Sequence, residues 1–152
     1  MKIHIPFHGG IMKNHIEIQI TVPNQTRYLS LVGRIGENMV HELEDLTGDK
    51  DTLGHHLNVV LTEALVNAIK HANARDPNKK VQIRINVNDK ELVIRVYDNG
   101  QGFDLGLIPG NGCPDPLSEK GRGIFIIRSL MDSVVYKKAD GGHVLEMKKA
   151  LG

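Results

Sequence analysis

Hydrophobic and polar residues alternate along several stretches of the chain, which is the pattern of half-buried β-strands. Residues 16–23 carry isoleucine or valine at every even position until a proline ends the run. Residues 81–87 also alternate, residues 92–97 form an apolar strand, and the Asn-Asp pair between the two segments predicts a hairpin. Residues 134–137 and 143–148 flank an Asp-Gly-Gly turn, so we predict a second hairpin at the end of the chain.

Apolar residues three to four positions apart predict a first helix over residues 27–46. Asn24 or Thr26 is expected to cap its N-terminus. Gly33 and Gly36 lie inside this helix, where each costs up to about 1 kcal/mol relative to alanine. They indicate close helix packing, within the chain or across a dimer, or else a less regular segment.

A second helix is predicted over residues 51–72, and a short third helix over 124–131. In the second helix one continuous apolar arc is formed by Leu57, Val60, Leu61, Ala64, Leu65 and Ala68. Glu63, Asn67 and His71 form a polar stripe along one border of that arc. We expect the stripe to face the edge of the core, where a cleft can form.

The composition indicates one domain. The chain has 152 residues, 40% of them hydrophobic, enough for one core. We assign residues 16–152 to this domain and treat residues 1–15 as an irregular extension. The net charge of +1 gives no basic field for nucleic acid, and no apolar run is long enough for a membrane span. The single cysteine, Cys113, cannot form an internal disulfide, which favours a reducing, cytoplasmic setting.

Candidate ligand chemistry begins where the strand 92–97 runs into Asp98, followed by Gly100 and Gly102. A carboxylate at a strand end can accept a hydrogen bond from an amine, and the glycines allow the backbone to approach a flat ligand closely. The same residues also fit an ordinary turn between strands. Asp98 alone therefore leaves both interpretations open.

Two other motifs carry complementary chemistry. Glu63 and Asn67 are four residues apart, so both side chains reach one small volume on a helix. A carboxylate there can act as a general base, and an amide oxygen is a suitable ligand for Mg²⁺. Gly121, Arg122 and Gly123 precede the predicted third helix, whose N-terminus would favour phosphates. The alternatives are a solvated helix surface and a flexible helix entry.

The order of the three motifs, the segments 63–72, 98–104 and 121–132, resembles the GHKL superfamily of ATP-binding domains. This superfamily includes gyrase, heat-shock chaperone ATPases, histidine kinases and mismatch-repair ATPases. Within it, the motifs look most like those of bacterial anti-sigma-factor serine/threonine protein kinases. The resemblance implies an α+β fold of the Bergerat type, a two-layer α/β sandwich with a mixed, mainly antiparallel sheet and helices on one face.

The resemblance also implies residue roles in binding ATP and Mg²⁺. Glu63 would be the general base and Asn67 the magnesium ligand, while Asp98 would accept from the adenine amine. The remaining nucleotide-site residues it implies are His71 as a helix-end group, Gly100 and Gly102 at the base, and Gly121, Arg122 and Gly123 at the phosphates. Residues 104–120 would close as a lid. The family often has a threonine in the final hairpin near the nucleotide, and residues 141–144 of this chain have none.

The reaction implied is transfer of the ATP γ-phosphoryl group to a serine or threonine of a small antagonist, the anti-anti-sigma protein. The same domain would bind and silence a sigma factor, acting as a homodimer without direct contact to nucleic acid or membrane. The alternative hypothesis is a non-catalytic module in which the nucleotide only controls the affinity for a protein partner. Both would retain Glu63 and Asn67, so these residues do not discriminate between them.

Overall fold

A computed structural model describes residues 2–4, 13–100 and 119–151. Its strands are β1 Lys2–His4, β2 Ile16–Pro23, β3 Lys80–Val87, β4 Glu91–Asp98, β5 Ser133–Ala139 and β6 Gly142–Ala150. Its helices are α1 Leu29–His41, α2 Lys50–Val66 and α3 Glu119–Leu130. A 3-10 turn, Thr26–Tyr28, precedes α1, and a π-helical turn, Asn67–Ala72, directly continues α2. Within the described ranges, no helix has the length and apolar character needed to cross a membrane.

The described strands form one sheet in the order β1-β2-β3-β4-β6-β5. Both predicted hairpins, β3 with β4 and β5 with β6, are present. Alternate residues such as Ile18, Ile83 and Ile94 are buried in the core that the sheet shares with the helices, whereas Glu17 and Arg84 are exposed. The α+β sandwich is therefore confirmed. Every pairing among the described strands is antiparallel, so this part of the sheet has no parallel pair of the kind a mixed sheet contains.

The two glycines of α1 are explained by packing within the chain. A Cβ atom added to Gly33 would overlap the side chain of Asn58, and one added to Gly36 would overlap Leu61. Both of these neighbours belong to α2. The absence of two side chains thus lets α1 and α2 approach closely, and the cost of glycine in a helix is offset by this contact.

The first helix is shorter than predicted. It begins at Leu29 rather than 27 and ends at His41 rather than 46, and neither Asn24 nor Thr26 caps it. The Asn24 side chain is instead hydrogen-bonded to Asn73 and Asp76, which follow the π-helical turn. After His41 the chain is held by Asn14, whose amide exchanges two hydrogen bonds of 2.9 Å with the backbone of Glu44. A tertiary contact therefore replaces the last predicted turn.

The first residues of the chain contain an element that the sequence pattern does not reveal. Lys2–His4 pairs with β2 as an antiparallel edge strand. A strand of three residues is too short to show a period of two, so only its partner strand identifies it. Asp89 fixes the chain just before β2, because its carboxylate accepts from the backbone N–H groups of Lys13 and Asn14.

Candidate functional site

The polar stripe of the second helix lies at the border of the core, as predicted. Asn67 is 3% exposed, and Glu63 and His71 are partly exposed. Asn67 is also the first residue of the π-helical turn. Such turns are rare and occur frequently at functional sites, because the wider turn changes the direction of the side chains around it.

Glu63, Asn67 and Gly123 meet at one place. The Asn67 side-chain nitrogen donates to the Glu63 carbonyl oxygen at 3.1 Å. A Cβ atom on Gly123 would lie 2.9 Å from Glu63 Oε2 and 3.1 Å from Asn67 Nδ2. The bare backbone of α3 thus packs directly against the two candidate side chains of α2. Two of the three predicted motifs are therefore in contact.

The glycines of the third motif lie within α3 and not ahead of it, contrary to the prediction. The helix begins at Glu119, so Gly121 and Gly123 are its third and fifth residues. The sequence pattern missed this start because no apolar residue marks the first turn. Gly121 still belongs to the turn whose N–H groups lack partners within the helix, whereas Gly123 lies beyond it. Arg122 is exposed to solvent.

Asp98 is a buried carboxylate at the end of β4, only 4% exposed. The Tyr136 hydroxyl donates to its Oδ2 at 2.7 Å, and the Gly100 N–H donates to its Oδ1 at 3.0 Å. His143 Nδ1 lies 3.8 Å from Oδ1, and its ring stacks on Tyr136 with centroids 5.1 Å apart. A carboxylate has about four acceptor positions, so Asp98 keeps capacity for a ligand.

Sequence reasoning missed Tyr136 and His143. His143 is the direct cross-strand partner of Asp98 in the β4–β6 ladder, and Tyr136 comes from the next strand. Neither residue belongs to a motif, and their proximity to Asp98 depends on the strand order. His143 lies in the final hairpin, in the segment where the resemblance leads one to expect a threonine.

The turn that follows Asp98 is joined to the end of the π-helical turn that continues α2. A Cβ atom on Gly100 would overlap the Ala72 carbonyl, so the two backbones touch. The Asn99 N–H donates to the side-chain oxygen of Asn73 at 2.9 Å. The helix that carries Glu63 and Asn67 therefore also holds the end of β4. Gly102, Cys113 and residues 104–118 of the predicted lid lie outside the described residues, whereas residues 119 and 120 belong to α3.

The residues around Asn67 fit a magnesium ion bound together with phosphates. The Asn67 nitrogen is a donor and bonds to the Glu63 carbonyl oxygen, and the amide oxygen is the atom able to ligate a cation. Mg²⁺ usually takes only one or two protein oxygens and completes its shell with substrate phosphates and water. Among the described residues no group of three acidic, histidine or cysteine side chains could hold a metal ion alone.

Comparison with known proteins agrees with this fold and motif order. The model of the histidine kinase-like ATPase domain matches residues 22–149, and the chain belongs to this family. The chain is 32% identical over 138 residues to the serine-protein kinase RsbW of Bacillus subtilis, covering 86% of this chain and 84% of that protein. It is 27% identical over 141 residues to the serine-protein kinase RsbW of Listeria innocua, with coverage of 88% and 87%.

A solved structure shows the same fold. The histidine kinase domain from the Erythrobacter litoralis EL346 blue-light activated histidine kinase superposes with a TM-score of 0.53 at 18% identity. The match covers 86% of this chain and 62% of that chain. The resemblance inferred from the three motifs is thus confirmed at the level of the family.

Proposed function

We propose that the protein is an ATP-dependent protein serine/threonine kinase. The observation that carries this proposal is the contact of Glu63 and Asn67 with Gly123 of α3, which brings two of the three motifs to one place. The similarity to two serine-protein kinases over most of both chains supports the same reaction. The family itself supports the use of ATP.

In the proposed reaction the bond between the γ-phosphorus and the β-phosphate oxygen breaks, and a new bond forms to the hydroxyl oxygen of a serine or threonine. Glu63 accepts the hydroxyl proton, and ADP leaves. Asn67 would hold Mg²⁺ through its amide oxygen, and the ion would neutralise charge on the phosphates. The chain contributes mainly by positioning these groups.

Asp98 is proposed to bind the base. The carboxylate is buried, held at Oδ2 by Tyr136 and at Oδ1 by the Gly100 N–H, and still able to accept from an exocyclic amine. An amine donor distinguishes adenine from guanine, which carries an oxygen at that position. His71, Gly121 and Arg122 remain proposed contacts to the nucleotide.

The protein substrate is proposed to be an anti-anti-sigma antagonist, and the same domain is proposed to bind a sigma factor as a homodimer in the cytoplasm. These proposals come from the likeness to anti-sigma-factor kinases. Their direct check is co-purification of the dimer with each candidate partner in the presence of ATP or ADP.

The kinase proposal is tested by Glu63→Gln, which removes the carboxylate and keeps the size of the side chain. We expect phosphoryl transfer from labelled ATP to an antagonist protein to fall about 100-fold or more, because a lost general base typically costs that much. ATP affinity, measured by calorimetry, should change less than about threefold, since the carboxylate is needed only during transfer. Glu42→Gln is the matched control, because Glu42 is exposed after α1.

Transfer retained in Glu63→Gln would exclude Glu63 as the base. A wild-type protein that binds ATP and phosphorylates no antagonist would instead support the nucleotide-controlled binding module.

A further inference from the structure

We propose that Asn73 is a positioning residue. Its side chain joins the turn after Asp98, where the base is proposed to bind, to the helical segment that carries Glu63 and Asn67. The proposal rests on the proposed function, in which Asp98 binds the base. Asn73 directly follows the π-helical turn and is fully buried. Its side-chain oxygen accepts from the N–H of Asn99, the residue after Asp98, at 2.9 Å.

The other end of the Asn73 amide is also anchored. Its nitrogen donates to Asn24 Oδ1 at 3.1 Å and to the Lys80 carbonyl at 3.2 Å. Asn24 in turn donates to the Asp76 carbonyl at 3.0 Å. Because each amide group has a partner that fits its donor or acceptor character, the orientation of the Asn73 side chain is fixed.

The backbone around Asn73 is held in an unusual path. The next two residues, Ala74 and Arg75, have positive φ angles of 49° and 58°. A residue with a side chain pays about 1 kcal/mol or more in this region, so the surrounding contacts must stabilise it. The Arg75 N–H reaches back to the Ile69 carbonyl at 2.8 Å. This reversal leaves Asn73 at the junction between α2 and β4.

Loss of the Asn73 side chain is expected to change the affinity for the base more than the rate of phosphoryl transfer. Glu63 lies in α2 and Asn67 directly follows it, and both contact Gly123 of α3 without a hydrogen bond to Asn73. Asp98 lies on β4 and is joined to α2 through the turn that Asn73 holds. Loss of the Asn73 oxygen should therefore loosen Asp98 relative to the phosphate-binding residues and leave the latter in place.

The test compares Asn73→Ala with Asn24→Ala in the full chain. Asn24→Ala removes bonds from the same buried network but leaves the Asn73 oxygen on Asn99. For Asn73→Ala we expect the ATP dissociation constant to rise about tenfold and kcat at saturating ATP to stay within about twofold. For Asn24→Ala we expect loss of stability with unchanged ATP affinity. Amide exchange at Asn99 should accelerate in Asn73→Ala alone.

Equal ATP affinity in the two variants, a fall in kcat without a change in affinity, or unchanged exchange at Asn99 would each overturn the inference. These outcomes leave the kinase proposal standing, provided the wild-type protein transfers phosphate. A wild-type protein that bound no ATP would overturn both.

Discussion

The contact between α2 and α3 predicts that Gly123→Ala lowers phosphoryl-transfer activity while it leaves the stability of the fold almost unchanged. The added methyl group would lie 2.9 Å from Glu63 Oε2 and 3.1 Å from Asn67 Nδ2. Ordinary van der Waals contacts of a Cβ atom begin at 3.4 Å, so the two side chains must each move by a few tenths of an ångström. Both atoms that are struck are the ends of side chains and can move without shifting the backbone.

The stability change works out close to zero. Alanine in place of glycine inside a helix contributes about 1 kcal/mol to stability. Displacing a side chain from its preferred rotamer costs about 0.5–1.5 kcal/mol. The net free energy of unfolding should therefore change by no more than about 1 kcal/mol, which is a shift in Tm of only about 2–4 °C for a domain of this size. Activity should respond far more, because small displacements of positioned groups reduce rates by about 10- to 100-fold.

The assay measures Tm and phosphoryl transfer on the same preparations. Gly54→Ala is the matched control, since Gly54 lies in α2 and the three atoms nearest to its added Cβ all belong to Glu37, at 3.3 Å or more. We expect Gly54→Ala to keep its kcat and Gly123→Ala to lose at least about tenfold. Full transfer activity in Gly123→Ala would refute the reasoning, because it would mean that the reacting groups do not depend on the closeness of α3 to Glu63 and Asn67.

Two further predictions concern the buried Asp98 carboxylate and the partly buried Glu146 on β6. Tyr136→Phe removes a hydrogen bond to the buried Asp98 carboxylate and should lower the free energy of unfolding by about 1.5–3 kcal/mol, measured by urea denaturation. An unchanged urea midpoint would contradict this role. Burial acts to raise the pKa of Glu146, but the hydrogen bond and charge of Arg95, together with two lysines, outweigh it and hold the pKa below 4.5. Because the folded pKa is lowered, Glu146 stabilises the fold above pH 4.5 and loses this effect as the pH falls through the folded value. The stability difference between wild type and Glu146→Gln should therefore narrow in acid, and a difference that stays constant with pH would count against the ion pair.

Sequence periodicity predicted the elements that bury one face. The strands at 16–23 and 81–87, and the buried arc of α2, follow from it because the core selects every second or every third to fourth residue. The ends of helices were less predictable. The first helix stops at His41 because Asn14 holds the following chain, and that contact joins residues distant in sequence.

The candidate site was likewise predictable only where local spacing decides it. Glu63 and Asn67 were predictable as a pair because helical spacing alone brings them together. The approach of Gly123 is a tertiary contact, so the order of the motifs could suggest it but not establish it. Tyr136 and His143 meet Asp98 only through the strand order, in which β6 lies between β4 and β5.

The second helix sets the spacing of the site because both other motifs touch it. Gly123 contacts Glu63 and Asn67 where α2 passes into the π-helical turn, and the turn after Asp98 contacts the end of the π-helical turn at Ala72 and Asn73. A helix holds residues at a fixed rise of about 1.5 Å each, whereas a loop does not. In the proposed function, the π-helical turn Asn67–Ala72 therefore helps to set the distance between the base at Asp98 and the phosphates at Asn67.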